Sequence, residues 1–292
     1  MDIGRIGIWT AQFDYHRWPE VAAAAHELDN LGYGALWVRE SRGRDPLTQS
    51  ALLLGATRRI PLATGIAVVY ARDPMAMAAA QRTLCEAFPD RFLLGIGISH
   101  RPVVEGLRGH SYGPPVAEMR AYLDGMDAAP YDSPRSNAEP LVLAALGPKM
   151  LELARDRTTG AHPYFVPAAH TRRAREILGT GPLLAPELGV VLERDPQRAR
   201  AIARESTTYY LRRENYTNNL RRFGYGDEDF VNGGSDRLVD DLVAWGSLDD
   251  IARRVQEHLD AGADHVCLQV LPADPTAIPR QEWRELAGAL LG

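Results

Sequence analysis

Short apolar runs alternate along the chain with longer stretches in which apolar residues recur at helical spacing. The runs are Ile6–Thr10, Ala35–Glu40, Leu62–Val69, Phe92–Ile98, Leu141–Ala145, Ala161–Val166, Leu188–Leu192 and Val266–Val270. They are apolar on both faces, as strands of a helix-covered parallel sheet should be. The helical stretches carry start and stop signals. Asp45-Pro46, Asp73-Pro74 and Asp195-Pro196 each place a capping side chain before a proline at the first helical position. Ser247 caps a helix over Leu248–Ala261, and Gly32 stops one over Trp18–Leu31. Eight strands, most followed by a helix, predict an α/β fold, a (β/α)8 TIM barrel in which residues 1–292 form a single domain. An open doubly wound sheet is the alternative. Residues 215–245 interrupt the alternation and are expected to be a helical insertion before the last helix–strand unit.

Composition narrows the class. The chain has 292 residues, 45% of them hydrophobic and 24% charged, which suits a globular enzyme. A net charge of −5 argues against a nucleic-acid partner. Lys149 is the only lysine; the bias to arginine fits a GC-rich, actinobacterial kind of genome. Cys85 and Cys267 sit in apolar segments, so free buried thiols and a reducing cytoplasm are expected. The N-terminus lacks a signal-peptide pattern, and no apolar run reaches the roughly 18 residues of a membrane span.

A barrel places its chemistry where strands end and βα loops begin. Those ends present Trp9-Thr10, Arg39-Glu40-Ser41, Val69-Tyr70 with Arg72 beyond, Ser99-His100-Arg101, Leu146-Gly147 and His162-Pro163-Tyr164. Gly95-Ile96-Gly97 falls short of a dinucleotide fingerprint: a third glycine is missing and His100-Arg101-Pro102 follows. Its glycines either admit a flat ring at the strand end or relieve crowding inside the barrel. Ala144-Ala145-Leu146-Gly147-Pro148 joins a strand to a proline-led helix, a place for a phosphate or an ordinary turn. Arg39, Arg42, Arg44, Arg72 and Arg101 form a cluster that either attracts an anionic ligand or is solvated. The histidines show no metal-ligand spacing, and nucleophile-elbow and Walker patterns are missing, so metal, hydrolase and NTPase chemistry lack support. His100 is the foremost candidate for proton transfer.

Several stretches together resemble one family. Thr64-Gly65-Ile66-Ala67-Val68, then Pro89-Asp90-Arg91-Phe92-Leu93-Leu94-Gly95-Ile96-Gly97, resembles the third and fourth strands of bacterial luciferase-like proteins. Ala144 to Pro148 resembles their phosphate loop, and Asn215 to Arg222 with Gly233 to Val239 is similar to an actinobacterial subgroup assigned to the deazaflavin coenzyme F420. The resemblance spans essentially the whole chain. It implies a redox enzyme acting by hydride transfer between F420 and a small organic substrate, and by analogy a homodimer. An FMN-dependent monooxygenase and a non-catalytic flavin- or deazaflavin-binding protein are the alternatives. The implied site has a non-proline cis peptide at Ala67–Val68 and Ile98 and Ser99 facing the ring. Ala145, Leu146, Gly147 and Pro148 hold the phosphate. Trp9 lines the pocket, and Arg72 with its neighbours favours the acidic tail. Glu40 and His100 are the catalytic candidates. Two departures bear on them: the family's sugar-phosphate dehydrogenases follow the acid with histidine where Ser41 stands, and carry glutamate where His100 stands.

Overall fold

Asp45, Asp73 and Asp195 each accept a hydrogen bond from the amide three residues on, at 2.8, 2.9 and 2.9 Å, so the proline-led helices start where their caps place them. The computed structural model describes residues 1–292. In chain order the elements are β1 (Ile6–Thr10), α1 (Trp18–Leu31), β2 (Leu36–Val38), α2 (Pro46–Ala56), β3 (Leu62–Thr64), β4 (Ala67–Val68), α3 (Pro74–Ala87) and β5 (Phe92–Gly97). Then come α4 (Arg101–Gly106), α5 (Pro115–Ala128), β6 (Leu141–Leu143), α6 (Pro148–Arg157), β7 (Gly160–Ala161), α7 (Ala168–Leu178), β8 (Leu183–Leu184) and β9 (Glu187–Val191). The chain ends with α8 (Pro196–Leu211), α9 (Glu214–Arg221), α10 (Asp236–Leu242), β10 (Val243–Trp245), α11 (Leu248–Asp260), β11 (Val266–Val270) and α12 (Arg280–Leu290). No helix is long and apolar enough to cross a membrane.

Every strand pairing is parallel, and the sheet runs β10-β9-β11-β1-β2-β3-β5-β6-β7-β8, with β4 on β5. β8 and β9 are two halves of one strand separated by Ala185-Pro186. The first half pairs with β7 and the second with β11. Bonds from Ala185 N to Ala161 O and from Glu187 N to Pro163 O, both 2.9 Å, carry the ladder past the break and close the barrel. The pattern placed this strand at Leu188, because Pro182 and Pro186 read as turn residues.

Three further details differ from the sequence expectation. The third strand breaks between β3 and β4. The cis bond there is Gly65–Ile66, and Ala67–Val68 is not cis. Ala67 and Val68 pair in regular register with Ile96 and Gly97, and a ladder-paired peptide is trans. Residues 215–245 hold more than helix: after α9, two 3-10 turns and α10 they finish in β10, which pairs with Gly189–Val191. Val-Ala-Trp suits a half-buried strand, and it occupies the edge that β7 leaves open. Lastly, Arg101–Gly106 is a short helix directly after His100.

Strand alternation sorts the side chains into two layers. Ile6, Ile8, Leu36, Val38, Leu62, Phe92, Leu94, Leu143, Leu188, Val266 and Leu268 face the helices in the large outer core. Trp9, Trp37, Ala35, Ala63, Leu93, Val142, Ala185 and Cys267 fill the barrel's interior. Trp37 stacks on His162 at 4.3 Å between ring centres, and its indole N–H donates to His265 Nε2 at 3.1 Å. The interior is therefore a packed, partly polar plug with Trp9 towards its upper end.

Candidate active site

The C-terminal strand ends carry unusual backbone. Ser99 and Phe165 are non-glycine residues at φ 62° and 59°, directly after β5 and beyond β7. Left-handed residues of this kind cost about 1–2 kcal/mol each and gather at functional sites. Gly95 and Gly97 have a different explanation. A Cβ on Gly95 would lie 2.2 Å from Thr64 O, and one on Gly97 would lie 2.8 Å from the Ile66 side chain. These glycines make room for the break between β3 and β4, so relief of crowding is the reading that holds. Gly65 is closed in too, with a Cβ position 2.4 Å from the Trp9 indole nitrogen. Trp9 Nε1–H donates to Gly65 O at 3.1 Å, and Trp9 leans on Tyr164 at 5.2 Å.

Glu40 is 7% exposed and fully committed. Oε2 accepts from Val68 N at 2.6 Å and Arg72 Nη1 at 2.9 Å. Oε1 accepts from Arg72 Nη2 at 3.0 Å and Arg108 Nη2 at 3.3 Å. Arg72 also donates to Asp45 at 2.6 Å. Glu40 thus ties β2 to β4 and to the loop after α4. Arg108 was not singled out in the sequence, because a lone loop arginine gives no local sign of its partner.

The arginine cluster is largely neutralised within the protein. Arg39 pairs with Asp14 at 3.0 Å, Arg101 with Glu105 at 2.7 Å, and Arg44 donates to the carbonyls of Phe13 and His16. Arg42 alone of the five has no side-chain partner within the protein, and it is exposed.

His100 is half-buried at the end of β5. Nδ1 lies 3.1 Å from Asn215 Oδ1, and the ring packs at 5.6 Å from that of Tyr216. Burial holds its pKa below the usual histidine range, and the Arg213 guanidinium lowers it further against the opposing bond to Asn215. An amide oxygen only accepts, so Nδ1 carries the hydrogen and Nε2 is left with a lone pair. Beside it Tyr164, Tyr210 and Tyr216 cluster, with the Tyr164 hydroxyl 2.8 Å from that of Tyr210 and 2.6 Å from Gln269 Oε1.

The expected phosphate loop lies one strand over. Gly147 caps α6 and Pro148 opens it. The amides of Gly147 and Lys149 have no backbone acceptor. Ala145 is 1% exposed and packs into the outer core, so its side chain faces away from the loop's surface. Leu146 O accepts from buried His170 Nε2 at 2.9 Å, which fixes the peptide before the cap. The Arg222 guanidinium, arriving from the end of α9, stands 3.2 Å from the place a Gly147 Cβ would occupy. It has no partner within the protein, so the loop couples free amides, a helix N-terminus and a cation. These donors fit a phosphate. Ile98, Ser99, His100, Leu146 and Gly147 are thus gathered at adjacent strand ends, while Glu40 and Arg72 stand in an ion-pair network beside them.

The parallel barrel thus brings a cationic cradle and a histidine to neighbouring C-terminal strand ends, the face on which barrel enzymes carry their chemistry. A sequence profile of the luciferase-like monooxygenase family matches residues 5–265, and the chain belongs to that family. It is similar to a Mycobacterium tuberculosis protein provisionally named a coenzyme F420-dependent oxidoreductase, 32% identical over 171 residues. That match takes in 58% of this chain and 46% of the relative, so the chain spans about half of that relative's length. Among solved structures, an F420-dependent secondary alcohol dehydrogenase holding an F420–acetone adduct superposes with TM-score 0.76 at 13% identity, covering 99% of this chain and 98% of the other. The FMN-bound oxygenating constituent of 3,6-diketocamphane monooxygenase from Pseudomonas putida superposes with TM-score 0.69 at 18% identity, covering 98% of each. At these identities the structures share the fold.

Proposed function

We propose that the protein is an F420-dependent oxidoreductase that transfers hydride to or from a small organic substrate. The observation that carries this reading is the unpaired Arg222 guanidinium over Gly147 at the N-terminus of α6, a phosphate cradle beside the His100 strand end. The mycobacterial relative's name supports F420 over FMN. Bound F420 would supply a ring carbon that gives or accepts hydride, leaving the protein to position it and to move the proton. Gly147, Lys149 and Arg222 would grip the phosphate, with Ile98 and Ser99 beside the ring. His100 holds the proton role: Asn215 orients its ring, and Nε2 accepts a proton from a substrate hydroxyl or, once protonated, returns it. Glu40 acts as an anchor, since both oxygens are spent on Val68, Arg72 and Arg108.

One observation favours the FMN-dependent alternative. Most of the arginines that would attract an acidic tail are already paired with the protein's own carboxylates. Fluorescence titration decides between the two. Tighter binding of F420 than of FMN is expected; equal or tighter FMN binding overturns the cofactor choice.

A further inference from the structure

Gln269 lies on β11 between Leu268 and Val270, which face the outer core, and two residues above Cys267, which faces the barrel's interior. Strand alternation therefore turns Gln269 inward at the C-terminal end, level with Trp9 on the paired strand β1. It is 6% exposed. The Tyr164 hydroxyl stands 2.6 Å from Gln269 Oε1 and 2.8 Å from the Tyr210 hydroxyl. An amide oxygen only accepts, so the one Tyr164 proton goes to Gln269 and Tyr210 donates to Tyr164. This chain holds the amide with its nitrogen left over. Gln269 Nε2 makes no bond within the protein yet keeps contact with open space, and so do the Tyr216 hydroxyl and His100 Nε2. Tyr164 is also the middle of a row of rings. Its centre is 5.2 Å from Trp9, 5.0 Å from Tyr210 and 6.3 Å from Tyr216, which stands 5.6 Å from His100. Tyr164 and Tyr210 are only half-buried, so the row forms the wall of a recess at the barrel mouth. The ionisable neighbours are spent, neutral or turned aside. Arg39, whose field reaches the Tyr210 hydroxyl, pairs with Asp14 at 3.0 Å. Glu187, inward on β9, has its pKa pushed up to about 8 by burial. Arg213 is drawn over the exposed Tyr209 ring, 4.8 Å from its centre.

We infer that this recess receives an uncharged aromatic carbonyl compound, its ring against Tyr164 and Tyr210 and its carbonyl oxygen accepting from Gln269 Nε2. The aromatic wall favours a flat ring over an aliphatic one, because ring faces and edges attract beyond the area they bury. The free amide nitrogen calls for an acceptor. A carbonyl oxygen supplies one and brings no proton of its own, whereas a hydroxyl would bring a donor to a place where Gln269 Oε1 is already taken by Tyr164. A polar group built to be paired rejects the analogue that lacks its partner, so Gln269 sets the specificity. That this ligand is the substrate rests on the oxidoreductase reading above; the recess itself does not.

The experiment titrates four probes by calorimetry, first into the protein alone and then with F420 or FMN present. 2-Acetylnaphthalene carries ring and carbonyl, 2-ethylnaphthalene the ring alone, cyclohexyl methyl ketone the carbonyl alone, and 2-naphthoate a charge. The wild type is expected to prefer 2-acetylnaphthalene to each of the others by about tenfold, one hydrogen bond or one aromatic contact. Gln269→Leu should erase the preference over 2-ethylnaphthalene and leave 2-ethylnaphthalene itself unchanged. Tyr164→Leu should weaken both uncharged naphthalenes by about tenfold, and Tyr164→Phe should spare 2-ethylnaphthalene. Melting temperatures check each fold, with Gln269→Met standing in if Gln269→Leu is not folded. No binding of 2-acetylnaphthalene at millimolar concentration in either state overturns the assignment. So do equal affinities for ketone and hydrocarbon, tighter binding of 2-naphthoate than of the ketone, or equal losses of both uncharged naphthalenes in the Gln269 variants. A protein that selects the ketone through Gln269 but binds neither F420 nor FMN keeps the recess and loses the redox reading. One that binds a cofactor but fails the ketone series loses the recess alone.

Discussion

His100 Nδ1 stands 3.1 Å from Asn215 Oδ1, so a helix reached only after the seventh strand orients a histidine at the end of the fourth. Burial and Arg213 keep that imidazole neutral at a lower pH than a free one. If Nε2 is the proton acceptor, activity falls as pH falls through this lowered pKa. Arg213→Met removes a repelling charge and should move the acid limb of the kcat/KM profile to higher pH. Asn215→Leu removes the bond that favours the protonated ring and should move it lower. His100→Gln should cost about 10²–10⁴ in turnover while cofactor affinity changes little. An acid limb that stays put in both neighbours' variants would take the proton role away from His100.

Gly147→Asp tests the cradle. Gly147 has φ −87° and ψ 157°, angles open to any residue, and aspartate is itself a good N-cap. Stability should therefore hold. The new carboxylate would point at Arg222, occupy the anion's place and repel a phosphate. Affinity for FMN or F420 should drop by about a hundredfold, with riboflavin much less affected. Equal affinity of variant and wild type for the phosphorylated cofactor would remove this loop from the site.

What the sequence showed of this site follows from the range of each interaction. The caps at Asp45, Asp73 and Asp195 act over three residues, and the strand pattern over two, so both are visible locally. The phosphate loop was legible because Gly147-Pro148 is a contiguous signal. The cis bond was placed two residues late, since resemblance located the strand but not where its ladder with β5 resumes. Arg222 and Arg108 act across 75 and 68 residues of chain, so no local pattern announced them. β10 hid inside a segment that reads as helical because its three residues are too few to show a period.

Glu187 carries a second titration, inside the barrel. Its one hydrogen bond is from Phe165 N at 3.1 Å to Oε2, and burial pushes its pKa up to about 8. The native carboxyl is then neutral where the unfolded one is ionised. Its stabilising influence is complete below about pH 4.5 and is lost as pH rises to 8. Glu187→Gln keeps an acceptor for Phe165 N and abolishes the titration. Its melting temperature should exceed that of the wild type by several degrees at pH 8 and converge with it towards pH 5. Parallel pH dependences for the two proteins would show that Glu187 does not titrate in this window.

The acid side of the stability curve belongs to buried histidines. His162, His170 and His265 are pushed down to about 4 and His258 to about 3, each chiefly by burial. The unfolded chain takes up protons at pH 6.5, and the folded one does so only some units lower. The stability that these histidines contribute is therefore intact above pH 6.5 and drains away as pH falls from there towards 4. Each histidine withdraws up to roughly 3 kcal/mol across that interval, and a typical domain holds only about 5–15 kcal/mol in total. Cooperative unfolding is expected between pH 6 and 4. His258 contributes in a way that can be isolated, because Nδ1 meets only the Thr171 hydroxyl at 2.9 Å and Nε2 meets nothing. Replacing both partners together, Thr171→Val with His258→Leu, leaves no polar atom stranded and removes one proton from the acid transition. Followed by circular dichroism, the double variant should unfold at a lower pH and with a shallower proton dependence. Superimposable acid curves would mean that His258 is already protonated in the native protein.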